Sequence, residues 1–172
     1  EAFQEVIPGT TGQLVYFISH NIARKEIVAN RPAWVHRKGA TRAYPGGHPA
    51  LRGTRFAETG HPILLPGNPQ AGSAVMVADA GAERSCYSVN HGAGRQLGRR
   101  AAKRQLDQGQ VDKSFADADI LSNCRRYPID EAPAAYKNFD EVLRSVKIAG
   151  LASEVARLKA RFVIKDGDKA DD

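Results

Sequence analysis

The stretch from His61 to Ala78 limits the fold more than any other part of the chain. Two short apolar runs, Ile63-Leu64-Leu65 and Ala74-Val75-Met76-Val77-Ala78, flank the loop Pro66-Gly67-Asn68-Pro69-Gln70-Ala71-Gly72-Ser73. Proline, glycine and asparagine between two such runs read as a hairpin. A loop built from small residues can also cradle a nucleotide, although this one carries neither the Walker phosphate-loop pattern nor GxGxxG.

Around that hairpin the remaining elements are short. Leu14-Val15-Tyr16-Phe17-Ile18, after a Pro/Gly/Thr segment, reads as a buried strand over residues 13–19. Asn21 is a candidate N-cap for a helix over residues 22–28. A strand through Trp34 and Val35 stops at His36 and hands over to a loop carrying Arg37, Lys38 and Arg42. Residues 51–60 read as surface connection, and residues 107–127 are polar and only weakly periodic. Asn138 with Glu141 three positions on fits an N-cap and its N3 acid, opening a helix through Val142, Leu143, Val146 and Ile148 to Gly150. Leu151, Val155 and Leu158 share a face of a further helix, and Phe162 to Lys165 reads as a last strand. The charged tail from Gly167 is expected to fray. No internal repeat or linker is evident, so residues 1–172 read as one domain.

Chemistry gathers at Ser88-Val89-Asn90-His91-Gly92-Ala93-Gly94-Arg95. Glycines after a histidine let the backbone approach a ligand closely, because no Cβ intervenes. Residues 93–106 read as a helix, on which Arg95, Arg99 and Lys103 recur at i, i+4 and i+8. The positive end of such a helix suits phosphate, and an imidazole beside it suits nucleophilic or general-base work on phosphorus. Taken alone, the same pattern also describes a glycine turn followed by a solvated basic helix. His20 reads equally well as a ligand-contacting or a hydrogen-bonded structural histidine.

A formal charge of +6, from 25 Lys+Arg against 19 Asp+Glu, favours polyanionic partners. At 172 residues and 42% hydrophobic the chain is long enough to bury a core. No apolar run approaches the roughly 20 residues that span a bilayer, and no secretory leader is seen. Cys86 and Cys124, the only two cysteines, have no zinc-ribbon spacing. Reduced thiols and a cytoplasmic location are the expectation. The first residue is not methionine, which suggests a piece of a longer chain.

His36-Arg37-Lys38-Gly39-Ala40-Thr41-Arg42-Ala43 and His91-Gly92-Ala93-Gly94-Arg95, in that order, resemble the RtcB family of RNA ligases. Ser19-His20-Asn21-Ile22-Ala23, the Pro66-Gly67 loop, Asp130-Glu131-Ala132-Pro133 with Tyr136, and Val163-Ile164-Lys165 extend the resemblance over nearly the whole chain, as the C-terminal part of a longer protein. It implies an α+β fold, with mixed sheets flanked by helices. It implies an enzyme that joins an RNA 3′-phosphate or 2′,3′-cyclic phosphate to a 5′-hydroxyl, using GTP and Mn²⁺. Its substrates would be tRNA or damaged RNA carrying such ends.

By the same resemblance His91 is the histidine that carries GMP, and His36 is a manganese ligand bordering the nucleotide with Arg37. Pro66, Gly67, Asn68, Pro69 and Ser73 match the loop around the nucleotide, and Gly92, Ala93 and Gly94 its phosphate–ribose side. Tyr136 matches a ring stacked on the base and Lys165 a lysine that contacts guanine. Arg95 and Arg99 fall where arginines bind phosphate, while Lys38 and Arg42, by their own charge in the loop after His36, are candidates to meet RNA phosphate. The remaining metal ligands of the family lie upstream of the matched region. Asn90 replaces the cysteine common before the histidine, Gly98 replaces a serine, and Asn68-Pro69-Gln70 replaces a Ser-Met-Gly loop. These departures imply a divergent paralogue, of the branch associated with a release-factor-like protein. Two other classes stay open at this point: a basic RNA-binding relic without ligation, and a GTP-independent cyclic-phosphate hydrolase using His91 as base.

Overall fold

The computed structural model describes residues 2–165 of the protein, and the expected frayed tail from Gly167 lies outside them. The architecture is α+β. At its centre the hairpin forms as its composition demands: β4 (Pro62–Asn68) runs antiparallel to β5 (Gly72–Ala78). A third strand, β8 (Ala152–Leu158), joins the free edge of β5, giving the order β4-β5-β8. Alternate residues of β4 and β5 are buried, as expected where one face of a sheet is covered.

The cover is α4 (Phe139–Ile148). Asn138 caps it, its Oδ1 accepting from the Glu141 N–H at 3.1 Å. Phe139, Leu143 and Val146 recur at helical spacing on its inner face and pack with Ile63, Leu65, Ala74 and Met76 of the sheet. Truncating a fully buried Leu143 to Ala would destabilise the protein by about 2–5 kcal/mol. A smaller cluster forms around α3 (Gln108–Asp117), where Val111 and Phe115 pack with Ile120, Tyr127 and Ala132. It sits beside a parallel pair of two-residue strands, β7 (Leu121–Ser122) and β9 (Phe162–Val163).

The first third of the chain departs most from its sequence reading. Residues 13–19 form no strand; Leu14 and Phe17 are exposed, because no sheet edge pairs with them. Residues 22–28 belong to a strand and not a helix. β1 (Asn21–Val28) pairs along its whole length with β2 (Arg31–Lys38). The two-residue turn between them has positive φ at both Ala29 (47°) and Asn30 (60°), the geometry whose twist matches paired strands. β2 does not end at His36 but runs to Lys38, and after Gly39 the chain continues as β3 (Ala40–Arg42), antiparallel to β6 (Ser88–Asn90). Residues 51–60 are turns, as expected, although Leu51 is buried.

Two helical readings also change, and one helix forms where none was read. The segment holding Val155 and Leu158 is β8, with Leu151 just before it, since the backbone groups of the β5 edge need partners. The helix expected over residues 93–106 is only α2 (Arg99–Gln105). Residues 93–95 do not form helix: Ala93 N–H donates to the Pro66 carbonyl at 3.0 Å, Gly94 has φ +76°, and Lys137 N–H donates to the Gly94 carbonyl at 3.0 Å. Conversely α3 forms in the weakly periodic stretch, capped by Asp107, whose Oδ1 accepts from Gln110 N–H at 2.9 Å.

A buried ion pair ties the β1–β2 hairpin to β6. Arg37 reaches both carboxylate oxygens of Glu26, at 2.8 and 2.7 Å, and donates to Ser88 Oγ and the Cys86 carbonyl at 3.0 Å each. The side chains are 1% and 8% exposed. Arg37→Met leaves the Glu26 carboxylate buried and should cost about 3–5 kcal/mol, whereas Glu26→Leu with Arg37→Met should recover most of the loss. Urea denaturation of the three proteins measures both; a single variant as stable as the parent would contradict the pairing.

Candidate nucleotide site

His91 stands at the end of β6, where the turn that follows is shaped by its neighbours. Asn90 Nδ2 donates to the Gly92 carbonyl at 2.9 Å, closing the turn after the histidine. The His91 N–H donates to the Gly39 carbonyl at 3.2 Å, and the imidazole stacks on that of His20, with centroids 4.4 Å apart and planes 10° apart. Burial, and then the charge that His20 would present, hold the His91 pKa below its ordinary value.

His91 lines a cavity of about 590 Å³, within the range of about 300–1,000 Å³ usual for small-ligand sites. Pro66, Gly67, Asn68, Pro69 and Ser73 form one wall, from the turn of the central hairpin. Asn68 Oδ1 shapes that turn by accepting from the N–H groups of Gln70 and Ala71, at 3.0 and 2.9 Å. Gly67 has no room for a side chain, since a Cβ would lie 2.7 Å from the Phe139 ring. Gly92, Ala93 and Gly94 line it next to His91 in the chain, and Tyr136 and Lys165 line it as well. These residues come from four separate stretches of sequence. Lys165 Nζ is ion-paired with Glu131 Oε2, and Glu131 also lines the cavity.

The cations divide into those at the cavity and those away from it. Arg95 lines it, but its guanidinium lies 5.0 Å from the centroid of the Tyr136 ring and donates to the Leu97 and Asp130 carbonyls. Arg95 therefore braces Tyr136 instead of sharing a helical face with Arg99 and Lys103. Arg99 and Lys103, both on α2, meet Asp130 at 3.0 and 3.8 Å. Burial alone would raise the Asp130 pKa, but the Arg99 hydrogen bond and the Lys103 charge bring it below the ordinary value. Arg37 is spent in its internal pair, and Arg42 lies 4.0 Å from Glu26 and over the Tyr44 ring. Neither lines the cavity.

His36 is exposed on the outer face of β2, which it shares with Trp34 and Lys38, and it too lies outside the cavity lining. Among the described residues no group of three or more His, Cys, Asp or Glu could hold a metal ion. One imidazole cannot fix a divalent ion in a defined geometry, so these residues alone do not fit a Mn²⁺ centre. Among the described residues no helix is long and apolar enough to cross a membrane.

Several cavity residues escape a motif reading. Tyr127, Lys159 and Ala160 line it because α3 and the chain after β8 fold back over the site. The stacking of His20 on His91 is a tertiary contact, with only the adjacent Asn21-Ile22-Ala23 motif to hint at it.

The whole of this region has known counterparts. Residues 1–166 match the family described as tRNA-splicing ligase RtcB. The chain is 38% identical to the tRNA-splicing ligase RtcB of Pyrococcus horikoshii, over 96% of this chain and 20% of that protein. It is 36% identical to the proteins of that name from Thermococcus kodakarensis and Pyrobaculum aerophilum, over 96% of this chain and 36% of each. The chain thus spans between about a fifth and about a third of the length of these relatives.

A depressed His91 pKa has a direct readout. In metal-free protein the His91 ring should titrate below 6.5, followed by NMR of its carbon-bound ring protons. A midpoint at or above that value would contradict the packing described around it.

Proposed function

From the chain's membership of the RtcB family we propose that it carries the nucleotide-binding part of a GTP-dependent RNA ligase. The observation that carries this reading is the convergence on one cavity of His91, the Pro66–Ser73 turn, the Gly92–Gly94 segment, Tyr136 and Lys165. An imidazole, an aromatic ring and a lysine lining one cavity suit a bound nucleoside phosphate.

A His91 ring nitrogen attacks the α-phosphorus of GTP; an N–P bond forms, the α–β phosphoanhydride breaks, and pyrophosphate leaves with the bonding electrons. The low pKa of His91 keeps its lone pair free for this step. An oxygen of the RNA 3′-phosphate then takes the guanylyl group from the histidine. The 5′-hydroxyl of the second RNA end attacks that activated phosphate, loses its proton and displaces GMP. Mn²⁺, when bound, would stabilise charge on the phosphoryl oxygens. The described residues do not build that centre: His36 is exposed on β2, outside the cavity lining. Exposed Lys38 and Arg99 are suited to RNA phosphates, whereas Arg42 and Arg95 would act mainly through the walls they brace.

Tyr136 stacks on guanine in this reading, and Lys165 donates to its O6. Adenine has an amino group at that position, which would leave a charged donor unpaired, a penalty of a few kcal/mol.

Two experiments on the full-length protein test the reading. With labelled GTP and Mn²⁺, the GMP adduct should map to His91 and vanish in His91→Ala; a label on another residue would refute the assignment. Lys165→Met should narrow the GTP-over-ATP preference by roughly ten- to a hundredfold. An unchanged ratio would remove Lys165 from the base site.

A further inference from the structure

We propose that the outer face of the β1–β2 hairpin is a binding surface for single-stranded RNA, on which Trp34 stacks with an unpaired base while Lys25 and Lys38 meet phosphates. The choice of RNA rests on the reading of the chain as part of an RNA ligase. The surface itself is read from the hairpin.

Strand pairing settles which side chains share that face. Lys25 lies directly opposite Trp34 and Ile27 opposite Pro32, and alternation along β2 adds His36 and Lys38. Asn21 and Ala23 complete the face, and none of these residues is acidic. Trp34 is 66% exposed and Ile27 65%. The buried Arg37–Glu26 pair belongs to the other face, so the outer side chains take no part in anchoring the hairpin. Trp34 and Lys25 also border an open hollow of about 720 Å³, with Arg24 and Arg42 on its wall. The Glu26 carboxylate that lines the same hollow is already held by Arg37.

Tryptophan is highly buried in most folds, because its ring is large and apolar. Here it stands open among cations, and that combination selects the occupant. A polyanion alone would need only the lysines, and protein interfaces are depleted in lysine. An unpaired nucleotide uses both features, its base having a π face for the indole and its phosphate a charge for the ammonium groups. Bases within a duplex are stacked on one another and offer the indole no face, so the strand is single. The row also leads to the site. Trp34, His36 and Lys38 run about 13 Å along β2. Gly39, the next residue, accepts from the His91 N–H at 3.2 Å. An RNA end brought to the His91 cavity can therefore continue over this face.

The test follows the fluorescence anisotropy of a labelled, unstructured RNA strand on the full-length protein, without GTP or Mn²⁺ so that no ligation occurs. Trp34→Ala should weaken binding roughly five- to a hundredfold, and Trp34→Phe, which keeps a flat ring, should recover most of it. Lys25→Ala should lower the slope of log affinity against log salt by about 0.7. A blunt RNA duplex should bind wild type and Trp34→Ala alike. Hydroxyl-radical footprinting should find Trp34 oxidised in the free protein and protected by the strand, and it decides the matter where Trp34→Ala melts early. Wild-type affinity in Trp34→Ala, an equal loss for strand and duplex, or a Trp34 shielded before RNA is added would each overturn the proposal. The last result would mean that protein covers this face. Strand binding that depends on Trp34, in a protein that forms no GMP adduct on His91, would keep the surface and defeat the ligase reading. An adduct on His91 beside strand binding indifferent to Trp34 would defeat the surface alone.

Discussion

Two backbone hydrogen bonds hold the site together: Ala93 N–H to the Pro66 carbonyl and Lys137 N–H to the Gly94 carbonyl. They pin the residues after His91 between the turn of the central hairpin and the segment carrying Tyr136. Buried or shielded peptide groups must find partners, and here they find them across the cavity instead of within a helix. That choice delays α2 to Arg99 and leaves Gly92–Gly94 lining the cavity. It also swings Arg95 onto the Tyr136 ring. The core beneath, where α4 packs on β4 and β5, makes the hairpin turn a rigid wall for the same cavity.

The electrostatics follow the same division between frame and site. Several of the cations are paired internally, Arg37 with Glu26, Arg99 and Lys103 with Asp130, and Arg157 with Asp140 and Glu154. The buried Arg37 pair fixes the hairpin whose outer face carries His36, so an arginine beside a candidate ligand serves the scaffold. At the cavity, Glu131 accompanies Lys165, holding the ammonium beside the space assigned to a base. Burial, and then the charge His20 would present, hold the His91 pKa below its ordinary value.

What the sequence made legible was local. The β4–β5 hairpin, the Asn138 cap of α4 and the short strand at Phe162 and Val163 each depend on neighbouring residues, and each was readable. Residues 22–28 and 152–158 have the apolar spacing of a short helix, but the edges of β2 and β5 draw them into sheets. A single apolar residue every three or four positions cannot arbitrate between the two. Leu14 to Ile18 fails for the converse reason: strand-forming residues without an edge to pair with. In the site, residues within motifs, such as His91, Pro66 and Gly92, could be named from sequence. The stack of His20 on His91 and the closing of the cavity by Tyr127 and Lys159 arise only once distant segments meet.

The central claim is that a guanine nucleotide occupies the cavity between His91 and Lys165. A crystal structure of the full-length protein grown with a non-hydrolysable GTP analogue tests it most directly. The account predicts the α-phosphorus beside the His91 imidazole, the ribose and phosphates along Gly92–Gly94, and the base against Tyr136 with O6 toward Lys165. A nucleotide bound elsewhere, or bound in this cavity with its base toward His91, would contradict it.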